Sequence, residues 1–191
     1  MKLVFATHNQ NKLIEIKALL PPTIALLSLT DIGCNEDIVE DAPTIEGNAQ
    51  LKAAYVKKTY GYDCFADDTG LEVTALAGAP GVFSARYAGP QRDSNDNMDK
   101  LLTELASIKD RSAQFKTAIS FVTDTNSTAF IGLCKGEIIH KKVGSQGFGY
   151  DPIFRPEGYD QTFAQMPLAL KGKISHRGKA FALLLAHLSK Q

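Results

Sequence analysis

Four polar clusters in this chain hold residue types that can do chemistry. The first is Thr7-His8-Asn9-Gln10-Asn11-Lys12, a polar turn just ahead of a predicted helix. Free backbone N–H groups and the positive end of a helix attract phosphate, and Lys12 adds a full charge. It is not a Walker loop, since no GxxxxGK[ST] run exists. The same residues also suit a plain capped turn with a solvated lysine. The second cluster is Glu36-Asp37-Ile38-Val39-Glu40-Asp41, and the third is Asp67-Asp68. Adjoining carboxylates repel each other, and a divalent cation is the usual compensation. Magnesium takes oxygen ligands, keeps several waters, and is commonly held by one or two carboxylates plus substrate phosphates. One carboxylate from each acidic cluster meets that need; a solvated acidic loop and an Asp-capped turn are the alternatives.

The fourth cluster is Gly147-Phe148-Gly149-Tyr150-Asp151 with Lys171 to Lys179. Its aromatics can stack on a base, a contact worth about 1–3 kcal/mol, or simply pack in the core. Its glycines let backbone approach a ligand closely. Lys171, Lys173, His176, Arg177 and Lys179 are the densest basic stretch of the chain. They abut a predicted helix start, where positive charge is unfavourable unless an anion answers it.

These clusters need a scaffold to bring them together. Lys2–Ala6 reads as a buried strand, and Leu13, Ile16 and Leu20 recur at helical spacing after it. Asn9 or Asn11 can cap that helix, and Pro21-Pro22 stops it. A second helix is predicted over Glu46–Tyr60, with Thr44 as its cap. Cys64–Ala66 is a short strand ending at Asp67-Asp68, and Gly78–Gly89 is loop. Asn95–Ile108 reads as a helix capped by Ser94. Phe115–Thr123 and Ala129–Cys134 read as an antiparallel strand pair, and His176–Leu188 as the last helix. Strands alternating with helices make an α/β fold with a mixed sheet. Ligands of open α/β sheets favour strand ends, where these clusters fall.

The 191 residues suit a single domain with two lobes, large enough to bury roughly 70% of the surface its unfolded form exposes. Lys+Arg and Asp+Glu are 21 each, so the basic excess of a duplex-DNA binder is missing. Cys34, Cys64 and Cys134 are far apart with no CxxC pair. That argues against a zinc site or disulfide framework and for a cytoplasmic protein with reduced thiols. The first residues turn polar before an apolar h-region forms, so no signal peptide is expected. No run of about 18 apolar residues exists to span a membrane.

The clusters resemble, in order, the motifs of the inosine triphosphate pyrophosphatase family, the noncanonical purine nucleotide pyrophosphatases. Phe5 to Lys12 looks like its opening T-x-N-x-x-K loop. Glu40-Asp41 with Thr44, Glu46, Asn48 and Ala49 is similar to its acidic loop and second helix. Ala66-Asp67-Asp68-Thr69-Gly70-Leu71 resembles its ADD[ST]GL element. Gly78 to Tyr87, Gly147 to Pro152 (GFGYDP) and Ser175 to Gly178 (SHRG) resemble its remaining motifs. One departure is His8, which stands where many relatives carry glycine.

The resemblance implies an elongated, two-lobed α/β domain over residues 1–191 with the active-site cleft between the lobes, and a homodimer. It implies magnesium-dependent hydrolysis of inosine, deoxyinosine or xanthosine triphosphate to monophosphate and pyrophosphate. Asp68 would be general base and metal ligand, and Glu40 the second metal ligand, with Asp41 as the alternative. Thr7, His8, Asn9, Gln10, Asn11 and Lys12 would hold the triphosphate, and Thr69 would contact substrate. Phe148, Gly149, Tyr150, Asp151, Lys171, His176 and Arg177 would form the base pocket. Lys52 and Arg86 are auxiliary candidates. Lys12 and Lys171 would offset charge on the leaving oxygens. His176, Arg177 or a backbone N–H would donate to a 6-oxo group, and Asp151 or a carbonyl would accept from N1–H. Such a site rejects the reversed pattern of adenine by up to about 10⁴-fold. The rival readings are a Maf-type pyrophosphatase for modified pyrimidine nucleotides, a non-catalytic nucleotide-binding module, and a single-stranded nucleic-acid binder.

Overall fold

Successive side chains of an extended chain point to opposite sides, so Leu3 and Phe5 face one way and Val4 and Ala6 the other. All four are buried. In the computed structural model, which describes residues 2–190, Leu3, Val4 and Phe5 lie in strand β1 (Lys2–Phe5) and Ala6 follows it. Helix α1 (Gln10–Lys17) follows, capped by Asn9. Strand β2 (Ala25–Leu27) pairs parallel with β1 and was not predicted, being too short to show a period. Helix α2 (Ile45–Tyr60) begins at Thr44, whose hydroxyl accepts from the Gly47 N–H at 3.0 Å, a cap worth about 1 kcal/mol. Gly61, at a φ of 76°, ends it.

Strand β3 (Cys64–Val73) is longer than predicted and runs straight through Asp67-Asp68. From sequence the apolar run Cys64–Ala66 ends there, at the paired carboxylates. Both carboxylates find cationic partners in the protein. Strand β4 (Pro80–Gly81) pairs antiparallel with β3. Helix α3 (Ser94–Glu104) is capped by Asp93 rather than Ser94, its carboxylate accepting from the N–H groups of Asn95 and Asp96. Strands β5 (Ser112–Val122) and β6 (Ser127–Ile138) are joined by a tight turn in which Thr123 N–H donates to the Asn126 carbonyl at 2.9 Å. Strand β7 (Phe154–Pro156) pairs antiparallel with β6. Helices α4 (Leu168–Ile174) and α5 (His176–Leu188) close the chain. The seven strands form one mixed sheet, ordered β2-β1-β3-β5-β6-β7 with β4 on β3.

The chain divides into two compact units. One comprises residues up to 68, 117–132 and 177 onward; the other comprises 69–116 and 133–176. The first unit has a core on each face of its strands. Leu3, Phe5, Phe65 and Ile119 pack with Leu13 and Ile16 of α1 and Phe181 and Leu184 of α5. Val4, Ala6, Cys64 and Ala66 pack with Ala53 and Val56 of α2. The second unit packs Phe115, Phe154 and Phe163 with Met98, Leu101 and Tyr150. Cys34, Cys64 and Cys134 are buried and form no disulfide. Among the described residues no helix is long and apolar enough to cross a membrane.

Candidate active site

The two-residue period of β3 gives Asp67 and Asp68 opposite surroundings. Asp67 follows Phe65 to the side covered by α1 and α5 and is fully buried. Its Oδ1 accepts from Lys12 Nζ at 2.8 Å and its Oδ2 from Arg177 Nε at 2.8 Å. Arg177 Nη1 donates to Glu15 Oε2 at 2.5 Å. Burial alone would raise the Asp67 carboxyl, but Lys12 and Arg177 outweigh it and hold the group well below the usual carboxylate range. Burial lowers Lys12 against the pull of Asp67. Arg177 is raised, since Asp67 and Glu15 overcome the cost of its burial.

Lys12 therefore reaches from α1 to β3, and the turn ahead of it is braced locally. Thr7 Oγ1 accepts from the Asn9 N–H at 3.1 Å, and Asn9 Oδ1 accepts from the Lys12 N–H at 3.2 Å. Thr7 and Asn9 thus shape the turn, while His8, Gln10 and Asn11 are exposed.

Asp68 faces α2 and is half-buried. Asn48 Nδ2 donates to its Oδ2 at 3.2 Å, and Lys52 Nζ lies 3.9 Å from its Oδ1. The same Lys52 ammonium makes a short ion pair with Glu40. Asn48 and Lys52, one helical turn apart on α2, so gather Asp68 and Glu40 around one cation. Asp41 is exposed, which leaves Glu40 as the acidic-loop carboxylate beside Asp68. Burial, with a smaller push from Glu40, raises the Asp68 carboxyl against the pull of Lys52 and Lys12. Asn48 and Lys52 are the residues the motif reading undervalued. Their signal was the spacing of four on a predicted helix.

The second unit holds the GFGYDP turn. Asp151 is buried, and its Oδ2 accepts from the Phe148 N–H at 2.8 Å and from Lys171 Nζ at 2.5 Å. The Lys171 ammonium lies 5.2 Å from the centre of the half-buried Phe148 ring. His176 is buried and stacked on Phe115, with ring centres 4.4 Å apart. Tyr150 belongs to the core, its hydroxyl donating to the Ser84 carbonyl at 2.9 Å. The expected basic patch is not a patch: Lys171, His176 and Arg177 are buried among partners, and only Lys173 and Lys179 of that run are exposed. Burial of Arg177 beside Asp67 and Glu15 uses two of its guanidinium nitrogens, so its contact is with carboxylates rather than an exposed surface. Thr69 is half-buried on β3 immediately after Asp68.

The turn depends on Gly147, whose φ is 73° and whose Cα has no room for a side chain: a Cβ there would lie 2.0 Å from Asp151 Oδ2. Gly147→Ala is expected to lose about 1–2 kcal/mol of stability through left-handed strain. The Asp151 carboxylate must also move aside. Chemical denaturation of the variant against its parent checks this.

Among the described residues no three His, Cys, Asp or Glu side chains converge as a ready-made metal cage. The Glu40 and Asp68 pair nevertheless suits magnesium, which commonly takes one or two carboxylates and completes its shell with waters and phosphates. The Lys52 ammonium beside both carboxylates marks a place where positive charge is favoured. A groove of about 1240 Å³ lies elsewhere, lined by Arg111, Glu137 and Arg155 among others, and includes none of these residues. Arg111 is committed there to the carbonyls of Leu105, Ile138 and Ile139.

Known proteins match this arrangement over its full length. The model of the Ham1 family matches residues 3–187. A Flavobacterium psychrophilum protein named dITP/XTP pyrophosphatase is 63% identical, the match covering 97% of each chain. One of the same name from Christiangramia forsetii is 59% identical over the whole of both chains. The solved Ham1 protein of Staphylococcus aureus superposes with a TM-score of 0.90 at 40% identity, covering 100% of this chain and 99% of that one. That of Coxiella burnetii gives 0.91 at 36% identity over 100% of both. On sequence, fold and the order of its site motifs, the chain belongs to the Ham1 family.

Proposed function

We propose that this protein hydrolyses noncanonical purine nucleoside triphosphates, those of inosine, deoxyinosine and xanthosine, to the monophosphate and pyrophosphate. The observation that carries this is the Asp68–Lys52–Glu40 group beside the Lys12 turn, in a chain that spans its pyrophosphatase relatives. Water attacks the α-phosphorus and gives a proton to Asp68. The bond from that phosphorus to the α–β bridging oxygen breaks, and its electron pair leaves with pyrophosphate. Burial suits Asp68 to this work, because a raised carboxyl is a stronger base than a solvated one. Lys12, held by Asp67, offsets charge on the phosphates. The backbone of the preceding turn, with Thr7, His8, Asn9, Gln10 and Asn11, orients them. A magnesium ion held by Glu40 and Asp68 would neutralise phosphate charge and polarise the phosphorus.

We assign base recognition to Phe148, Gly149, Asp151, Lys171 and His176, with Thr69 contacting substrate. Tyr150 and Arg177 support their neighbours from within the core. Because Lys171 is committed to Asp151, its part is to fix the base turn rather than to meet the leaving group. A homodimer and a cytoplasmic setting complete the reading; the buried, unbridged cysteines favour the latter.

Pyrophosphate release from inosine, xanthosine, adenosine, guanosine and pyrimidine triphosphates, with magnesium and with EDTA, tests the reading. Magnesium-dependent release confined to inosine and xanthosine nucleotides is expected. Release mainly from pyrimidine nucleotides would transfer the protein to the Maf-type reaction. Equal rates with adenosine and inosine triphosphate would remove the base pocket.

A further inference from the structure

The loop that carries Glu40 lies outside every helix and strand from Cys34 to Pro43, yet Glu40 must meet Asp68 to within the reach of one cation. Besides the Lys52 ion pair, the loop is tied by a residue with no part in the chemistry above. Glu36 Oε1 accepts from the hydroxyls of Tyr55 at 2.6 Å and Tyr60 at 2.8 Å, both on α2. Its Oε2 accepts from the Asn35 N–H at 3.1 Å. Hydrogen bonds to an ionised acceptor are roughly twice as strong as neutral ones. These donors hold the Glu36 carboxyl down at about 2, so it stays charged throughout the neutral range.

The backbone of the same residue carries a second link. The Glu36 carbonyl is 3.1 Å from His8 Nε2, which joins the acidic loop to the turn ahead of α1. The far end of the loop is tied as well, since the Ala42 N–H donates to Asn48 Oδ1 at 2.9 Å. Asn48, Lys52 and Tyr55 stand at spacings of four and three on α2, so they share one face of a rigid helix. That face meets, in order, Asp68 and Ala42, then Glu40, then Glu36. Helix α2 therefore fixes the loop on both sides of Glu40.

We propose that Glu36, clamped by Tyr55 and Tyr60 and joined through its carbonyl to His8, is a positioning residue that presents Glu40 beside Asp68. The proposal rests on the reading of Glu40 and Asp68 as the metal pair.

Manganese binding to the protein with inorganic pyrophosphate, followed by the paramagnetic resonance of free manganese, tests it without turnover. The variants are Tyr55→Phe/Tyr60→Phe, Glu36→Ala, Glu36→Gln and Glu40→Gln. The tyrosine pair and Glu36→Ala are expected to weaken manganese about tenfold, the equivalent of one charge-assisted hydrogen bond. Glu36→Gln, which keeps an acceptor oxygen, should recover part of that loss. Hydrogen exchange of residues 37–41 should quicken in the same variants before metal is added. If wild-type protein binds manganese no better than Glu40→Gln, the metal pair falls and the proposal with it. If Glu40→Gln weakens binding while the clamp variants match wild type, the metal pair stands and the proposal is overturned. Should the double tyrosine variant fail to fold, the comparison of Glu36→Ala with Glu36→Gln decides the matter.

Discussion

An Asp68→Asn protein is expected to fold like its parent and to release pyrophosphate from inosine triphosphate about 10²–10⁴-fold more slowly, the usual worth of a positioned base. Asparagine has the shape of aspartate and still offers an oxygen to Asn48 Nδ2, so the α2 face keeps its packing. What disappears is the proton acceptor and, with it, one charge of the proposed metal pair. Steady-state kinetics should show the loss in kcat, with the KM for nucleotide changed far less, since on the proposed reading the phosphates would be held mainly by Lys12 and its turn. Near-parent turnover would rule out Asp68 as the base. Thermal melting of the same sample guards against a trivial explanation, since a half-buried carboxylate near a lysine contributes little when replaced by its amide.

The contrast with Asp67 shows how much of this site the sequence makes legible. The paired carboxylates are plain in the string Ala66-Asp67-Asp68-Thr69, and the resemblance singles out Asp68. The division of labour between them follows from strand geometry. Continuing the alternation of Cys64, Phe65 and Ala66 through the pair sends Asp67 to the α1 and α5 side and Asp68 to the α2 side. Ending the strand at Ala66 hides that inference. The C-terminal basic run was misread for a related reason. Five cations in nine residues look like a surface, but Lys171 and Arg177 are partners for buried aspartates that lie far away in sequence. No local pattern announces such a pairing; a solvated cation and a buried one are spelled alike until the fold brings the carboxylate to it. The longer helices are more legible, because caps such as Thr44 and Asn9 act locally, whereas the seven-residue α4, with no side-chain cap, shows no such signal. Strands β2, β4 and β7 have two or three residues each, and their pairing is set by neighbours rather than by their own composition.

Removal of Arg177 is the substitution with the largest expected cost to the fold. In Arg177→Met the side-chain volume is nearly kept, while Asp67 and Glu15 each lose the hydrogen-bonded guanidinium between them and Asp67 keeps Lys12. Breaking a buried ion pair on one side typically costs about 3–5 kcal/mol. For a protein of this size that lowers the melting temperature by roughly 6–20 °C. The pH dependence separates this account from a simple packing defect. In the parent, Asp67 is held below its unfolded value, so it contributes stability above about pH 4 that is lost as pH falls toward its depressed folded-state value. In the variant, burial is no longer offset by Arg177, and the folded-state carboxyl moves upward. The variant's folded state therefore takes up its proton at a higher pH than the parent's, so acidification erodes the parent's advantage. Urea denaturation at pH 7 and in the acid range below about pH 4 should therefore show a deficit that narrows at the lower pH. A deficit constant across that range would place the loss in packing instead. Asp67→Asn combined with Arg177→Met should cost less than the sum of the two single changes, because each alone leaves the other's charge buried with fewer partners.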